Sequence, residues 1–286
     1  MRIATIQTPA GPHAALLVNN EYIDLHATDP GLPESLRQLL ASPTELRRAA
    51  EVAKQPRAVR HLAGSVKLLP PIPDPQKIVC LGLNYSDHAK ETNAKIPQDP
   101  ILFSKYATAL IGPDEPIVLP PISNEVDFEA ELVIVIGKRG RNLTPEAALQ
   151  HVAGYTVGHD VSARDWQLKK DGKQWMVGKT FDTFAPCGPV LVTADEVPDP
   201  HGLSIRLLLN GQVMQDSNTR QMIFNVGQIV SHLSKIFTIE PGDLVYTGTP
   251  PGVGVARKPP VYLKAGDVVE IVIEGLGTLR NPVVQG

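Results

Sequence analysis

The chain has 286 residues, 42% of them hydrophobic and 20% charged, the balance of an ordinary globular protein with room for one large domain or two. A formal charge of −3 argues against a nucleic-acid or acidic-membrane surface as partner, and no run is apolar for the length of a membrane span. Its two cysteines, Cys80 and Cys187, sit in apolar contexts without C-x-x-C spacing. That excludes a disulfide framework and a cysteine zinc site, and with no basic leader at the start the expected location is cytoplasmic.

Twenty-seven prolines, 23 glycines and only 5% aromatics predict many turns and short strands. Residues 2–8 and 14–24 read as strands, the second a hairpin turning at Asn19-Asn20. Residues 33–54 carry Leu36, Leu39, Leu40 and Leu46 near helical spacing. The proline-rich stretch from Val66 to Pro75 is stiff and poor in donors, and is read as the boundary between a small α+β unit (residues 1–69) and a main domain (residues 70–286).

Past that boundary, residues 77–82 read as a strand. Asn84 is placed as the N-cap of a helix with Asp87 in its first turn, so that His88 and Glu91 share one face at i and i+3. A carboxylate beside a histidine fixes its tautomer and raises its basicity, the base-and-orienter arrangement of general-base catalysis. A solvated surface pair is the other reading.

Residues 124–137 form the stretch around which the chain is organised. β-branched and apolar residues run to Gly137, so a strand is expected. Period-2 alternation puts Val126, Phe128, Ala130, Leu132, Ile134 and Ile136 on one face and Asp127, Glu129, Glu131, Val133 and Val135 on the other. The second face begins with three carboxylates and ends in valines. Neighbours at i and i+2 lie roughly 6–7 Å apart, and each pair repels by roughly 2–3 kcal/mol at an effective dielectric near 20. Either the strand end emerges into solvent, or a divalent cation such as Mg²⁺, Mn²⁺ or Ca²⁺ is held there by hard oxygen ligands.

A third ligand would decide between them, and Asp160 at the end of the next strand is the candidate; His159 points to the opposite face and reads as structural. Arg164 and Gln167 share a face if a short helix begins near Ser162, and the arginine fork suits carboxylate-bearing substrates. Gly178-Lys179-Thr180 fails the phosphate-loop spacing, because the required earlier glycine is displaced by one residue. Residues 248–254 fail the dinucleotide fingerprint and read as a rigid loop after a strand at 243–247, offering N–H groups and the hydroxyls of Thr247 and Thr249 to an anion. The remainder reads as a hairpin arm at 205–209 ending at Asn210-Gly211, a helix at 225–236 and a strand at 267–274.

Six segments occur in a telling order: Asn84-Tyr85 with Asp87-His88 and Glu91; Phe103-Ser104-Lys105; Glu129-Ala130-Glu131; Asp160 to Asp165; Gly178-Lys179-Thr180-Phe181; and Thr247-Gly248-Thr249-Pro250. In that order, from about Pro70 to the C-terminus, the chain resembles the fumarylacetoacetate hydrolase family. The resemblance implies an α+β, mostly β fold: a mixed β-sandwich/β-roll catalytic domain with short helices behind the small N-terminal unit, usually as a homodimer. It implies Mg²⁺ or Mn²⁺ on Glu129, Glu131 and Asp160. A further acidic ligand of the family has no counterpart between Cys80 and Tyr85, so water or substrate would take that position. It also implies a mobile lid around His88 and Glu91, Lys179 at the reaction centre, and Lys105, Arg164, Gln167 and Thr249 toward the substrate.

The chemistry of the residues agrees with a small 2-oxo acid as substrate. A Lewis-acid cation would stabilise an enolate, and His88 held by Glu91 would activate water. Acylpyruvate hydrolysis or oxaloacetate decarboxylation is the expected activity, oxaloacetate keto–enol tautomerisation the nearest alternative. A non-catalytic protein stabilised by its cation is the rival from another class, and the histidine pair and Lys179 argue against it.

Overall fold

The computed structural model describes residues 1–172 and 174–286, and at its centre lies the strand Ala130–Ile136, buried at all 7 positions. It runs between two antiparallel partners, Val152–His159 and Leu244–Tyr246, within a 12-stranded sheet. Burial is complete because both faces of the sheet are covered. On one side Leu132, Ile134 and Ile136 join Tyr155 and Val157 in a core shared with Ile205, Leu207 and Ile271 of a second, five-stranded sheet. On the other side Val133 and Val135 pack with Tyr246, Leu191 and the N-terminal leucines Leu36 and Leu39. This mostly β, α+β architecture is the one expected from the sequence. Both cysteines are free and buried, and no helix among the described residues is long and apolar enough to cross a membrane.

The N-terminal strand Arg2–Thr8 pairs antiparallel with Ala185–Thr193, so the first strands continue the large sheet. Leu68–Leu69, inside the proline-rich stretch, pairs with the same N-terminal strand. The hairpin at Asn19-Asn20 forms with φ of 48° and 66°, the positive values that a tight two-residue turn demands and asparagine tolerates. The expected helix over 33–54 is two helices, Leu36–Leu40 and Pro43–Val52. Pro43 has no N–H to continue the first, and Ser42 caps the second by accepting from Glu45 N at 3.3 Å. The helix Val226–Ile236 has the expected extent, with a capping box between Asn225 and Gln228.

Two local expectations are corrected where the chain meets the site. The single strand over 124–137 is broken: Val126–Asp127 pairs with Ser162–Ala163, and the long strand begins only at Ala130. The break falls where the Asp127 carboxylate accepts from its own neighbour, Phe128 N, at 2.8 Å. Asn84 is no helix cap. Its buried amide donates to the carbonyls of Thr247 and Phe224 and accepts from Phe224 N, and the helix Ser86–Glu91 starts one residue later, after Tyr85.

Candidate active site

Glu129 and Glu131 leave the head of the central strand on the same face, and the antiparallel neighbour delivers Asp160 beside them, with Asp160 N donating to Glu129 O at 3.0 Å. One oxygen from each of the three carboxylates lies within 4.8 Å of the others. All three are buried, which removes the reading of a strand end in solvent. At this separation and a dielectric near 20, each pair repels by about 3–4 kcal/mol, so positive charge has to be built in.

It is supplied from three directions. Lys179 Nζ donates to Glu129 Oε2 at 2.9 Å, Asp160 Oδ2 at 2.8 Å and Ser162 Oγ at 2.7 Å. Gly178 lets this lysine approach, since a Cβ there would lie 2.5 Å from Gln167 N. Arg164, at the start of the π-helical turn Asp165–Lys169, divides its fork among Asp127 Oδ2 (2.8 Å), Gln167 Oε1 (2.8 Å) and Glu129 Oε1 (2.6 Å). Lys105 Nζ sits 2.7 Å from Asp160 Oδ1 and donates to the carbonyls of Val161, Phe184 and Lys179.

Asp127, Glu129, Glu131 and Asp160 thus face three cations, and the carboxylate without one is Glu131. Its Oε2 accepts from Gly248 N at 2.7 Å while its Oε1 has no partner among the described residues. Burial pushes the Glu131 carboxyl well above its usual range, and the charges of Asp160 and Glu129 push it further. For Glu129 burial acts in the same direction, but Lys179 and Arg164 outweigh it and hold its pKa at about 2. A divalent cation fits this set: three hard carboxylate oxygens, one of them orphaned, with one negative charge left over.

His88 and Glu91 meet as expected, Nδ1 to Oε2 at 2.8 Å. Glu91 Oε1 also accepts from Gly252 N at 2.8 Å, which ties the short helix to the loop after Leu244–Tyr246. Burial raises the Glu91 pKa, but the His88 and Gly252 hydrogen bonds outweigh it and leave the group below its usual range. His88, Glu129, Arg164, Gln167, Lys179 and Thr249 line one cavity of about 270 Å³. Trp175 and Phe103, edge to face at 5.9 Å, form an aromatic wall of the same cavity. The wall needs Gly82, because a Cβ there would lie 2.0 Å from the Trp175 ring. A larger cavity of about 810 Å³ opens by Gly137 and Val152, at the far end of the central strand, and holds none of these residues.

Four residues, Lys105, Asp127, Thr247 and Thr249, sit differently from their expected places, while His159 is buried as a structural residue. Lys105 is wholly enclosed and turned to Asp160 and three carbonyls instead of the cavity. Asp127 stays out of the carboxylate trio: besides Arg164 it accepts from Gly254 N and Val255 N, fastening that loop. The hydroxyls of Thr247 and Thr249 bond Leu132 O and Ala130 O, and the loop's Gly248 N–H serves the protein's own Glu131. His159 is buried with neither ring nitrogen partnered among the described residues, and burial pushes its pKa down to about 3. Sequence reasoning missed Gln215, which reaches the site from the strand Gln212–Asn218 and carries no local signal, and gave no role to Ser162, which lies inside the Asp160 to Asp165 segment.

Residues 77–284 match the family model described as fumarylacetoacetate (FAA) hydrolase C-terminal. A Xenopus laevis protein named oxaloacetate tautomerase fahd2, mitochondrial, is 49% identical over 288 residues, covering 99% of this chain and 90% of that protein. The Homo sapiens oxaloacetate tautomerase FAHD2A, mitochondrial, is 49% identical over 291 residues, covering 99% and 92%. The crystal structure of maleylpyruvate hydrolase from Sphingobium sp. SYK-6, in complex with manganese(II) ion and pyruvate, superposes with a TM-score of 0.84 at 33% identity over 100% of both chains. The expectation of a cytoplasmic location is corrected by these relatives, since the frog and human proteins are both named as mitochondrial.

Proposed function

Because the chain belongs to the fumarylacetoacetate hydrolase family, an enzyme family of small acids, we propose that it catalyses the keto–enol tautomerisation of oxaloacetate with Mg²⁺ or Mn²⁺ as cofactor. The observation that carries this reading is the convergence on one small cavity of a tethered histidine, two buried cations and Glu129, whose carboxylate clusters with those of Glu131 and Asp160. Glu129, Glu131 and Asp160 would hold the cation, which when bound supplies Lewis-acid polarisation of a 2-oxo acid's oxygens.

The chain's own groups do the rest. His88 has Nδ1 committed to Glu91, so Nε2 is the nitrogen that takes a proton from C3 of the keto form. As the C2–C3 double bond forms, His88 Nε2 passes that proton on to the C2 oxygen and returns to its starting state, and the reverse transfer restores the ketone. Gln167, which lines the cavity beside Arg164, contacts the acid, and Arg164 and Lys179 hold the carboxylates in place around it. No C–C bond breaks and no water is consumed. The apolar wall of Phe103 and Trp175 limits water near the transferred proton.

Acylpyruvate hydrolysis is the second reading, supported by the same His88–Glu91 pair, which suits a water-activating base, and by the likeness to a maleylpyruvate hydrolase. Oxaloacetate decarboxylation has neither support. A stopped-flow record of oxaloacetate enol absorbance, run beside pyruvate release from oxaloacetate and acetylpyruvate, separates them. Enol relaxation faster than in the enzyme-free control, lost on chelation and without pyruvate release, is the expected result. Metal-dependent pyruvate from acetylpyruvate with no effect on the enol would replace tautomerase by hydrolase.

A further inference from the structure

We infer that Gln215, on the strand Gln212–Asn218 of the five-stranded sheet, is a positioning residue that sets the Glu129 and Glu131 carboxylates for their cation; this rests on reading that trio as the cation site. The residue between the two glutamates is Ala130. Its backbone N–H and C=O point along the sheet toward the strand Leu244–Tyr246, as does the carbonyl of Leu132, which accepts from Thr247 N at 3.0 Å. The regular ladder with that strand reaches only Val133 opposite Tyr246. Beyond Thr247 the chain turns away at Gly248, with φ of +96°, and spends the Gly248 N–H on Glu131 Oε2. One backbone cannot serve both the Glu131 carboxylate and the edge of Ala130.

Side chains take the vacated places. Gln215 Oε1 accepts from Ala130 N at 2.8 Å, and Thr249 Oγ1 donates to Ala130 O at 2.9 Å. Gln215 Nε2 closes the ring by donating to Thr249 Oγ1 at 2.8 Å and to Pro250 O at 2.8 Å. Gln215 is 1% exposed, so water offers no substitute, and a side chain lacking the amide leaves the Ala130 N–H unpaired. The peptide that spaces two ligands would then be free to shift. Groups outside the ligand shell that orient ligands typically govern metal affinity by 10- to 100-fold.

The test is Mn²⁺ titration of the full chain, with free Mn²⁺ read by electron paramagnetic resonance and the melting temperature of the metal-free protein recorded alongside. Gln215→Met keeps length and approximate volume while deleting both polar ends. Its Mn²⁺ dissociation constant is expected to rise about 10-fold or more. Leu207→Ala, a core truncation in the neighbouring strand, lowers the melting temperature and leaves the dissociation constant in place. Should Gln215→Met fail to fold, Gln215→Asn, whose amide is one methylene short of Ala130, is read by the same criterion. Wild type and Gln215 variant binding Mn²⁺ within about 2-fold of each other, or Leu207→Ala weakening it equally, overturns the assignment. A wild type that binds no Mn²⁺ overturns the cation reading beneath it.

Discussion

The floor of the cavity and its rim are held by different forces. On the floor, Glu129, Glu131, Asp160, Lys105 and Lys179 are all buried on or against central strands, and every charge but that of Glu131 is locked by ion pairs that are also contacts of the core. The rim bears His88 and Glu91 on a helix of 6 residues, far too short to persist alone. That helix is held by three polar tethers: Ser86 to Gln221, Asp87 to Ser217, and Glu91 to Gly252. Changing a floor charge therefore alters folding and chemistry together, whereas changing a rim group alters chemistry nearly alone.

The sharpest break in that contrast is Lys179→Met. It leaves Glu129 and Asp160 short of a buried partner, and breaking such a pair costs about 3–5 kcal/mol. A fall of roughly 10 °C in melting temperature, together with loss of turnover, is expected. An unchanged melting temperature would show that the floor is not held by its ion pairs. Glu131→Gln is the opposite floor variant, since Glu131 has no cation of its own. Metal-dependent turnover should vanish while the metal-free protein melts at or above the wild-type temperature, and a large drop would contradict the assignment of its unpaired charge.

On the rim, His88→Ala should lower the rate by about 10²–10⁴-fold and leave the melting temperature within a few degrees. Equal losses of rate and stability would erase the distinction between rim and floor. The smallest effect concerns Glu91, whose pKa is lowered in the folded state from an ordinary 4.5 once its hydrogen bonds to His88 and Gly252 have outweighed burial. A depressed carboxylate contributes stability that is complete above its unfolded pKa and is lost as pH falls through the folded one. The gap in melting temperature between wild type and Glu91→Gln should thus shrink as pH falls below about pH 4.5. A gap that widens on acidification would reverse the sign of that coupling.

What could be read in the sequence follows how far each contact reaches. The alternation that groups Glu129 with Glu131 and the i, i+3 spacing of His88 and Glu91 are short-range, and both survive in the fold. The strand end supplied Asp160, the spacing on a short helical turn Arg164 and Gln167, and the order of motifs Lys179, all of which meet around Glu129. Lys105 carried the same motif-level signal, yet only the packing of Phe184 and Val161 around it decides that its ammonium turns inward. Asn84 had the right residue type for a cap and was taken by contacts 140 and 163 residues away. Gln215 had no signal, because its meaning depends on where another strand leaves the sheet.

The most direct single measurement is solvent-deuterium entry at C3 of oxaloacetate, followed by NMR with Mn²⁺-free, Mg²⁺-loaded protein and an enzyme-free control. Exchange faster than the control, abolished by chelator and by His88→Ala, is the expected result. Exchange at the control rate, with the protein folded and Mg²⁺ bound, would contradict proton transfer at this site.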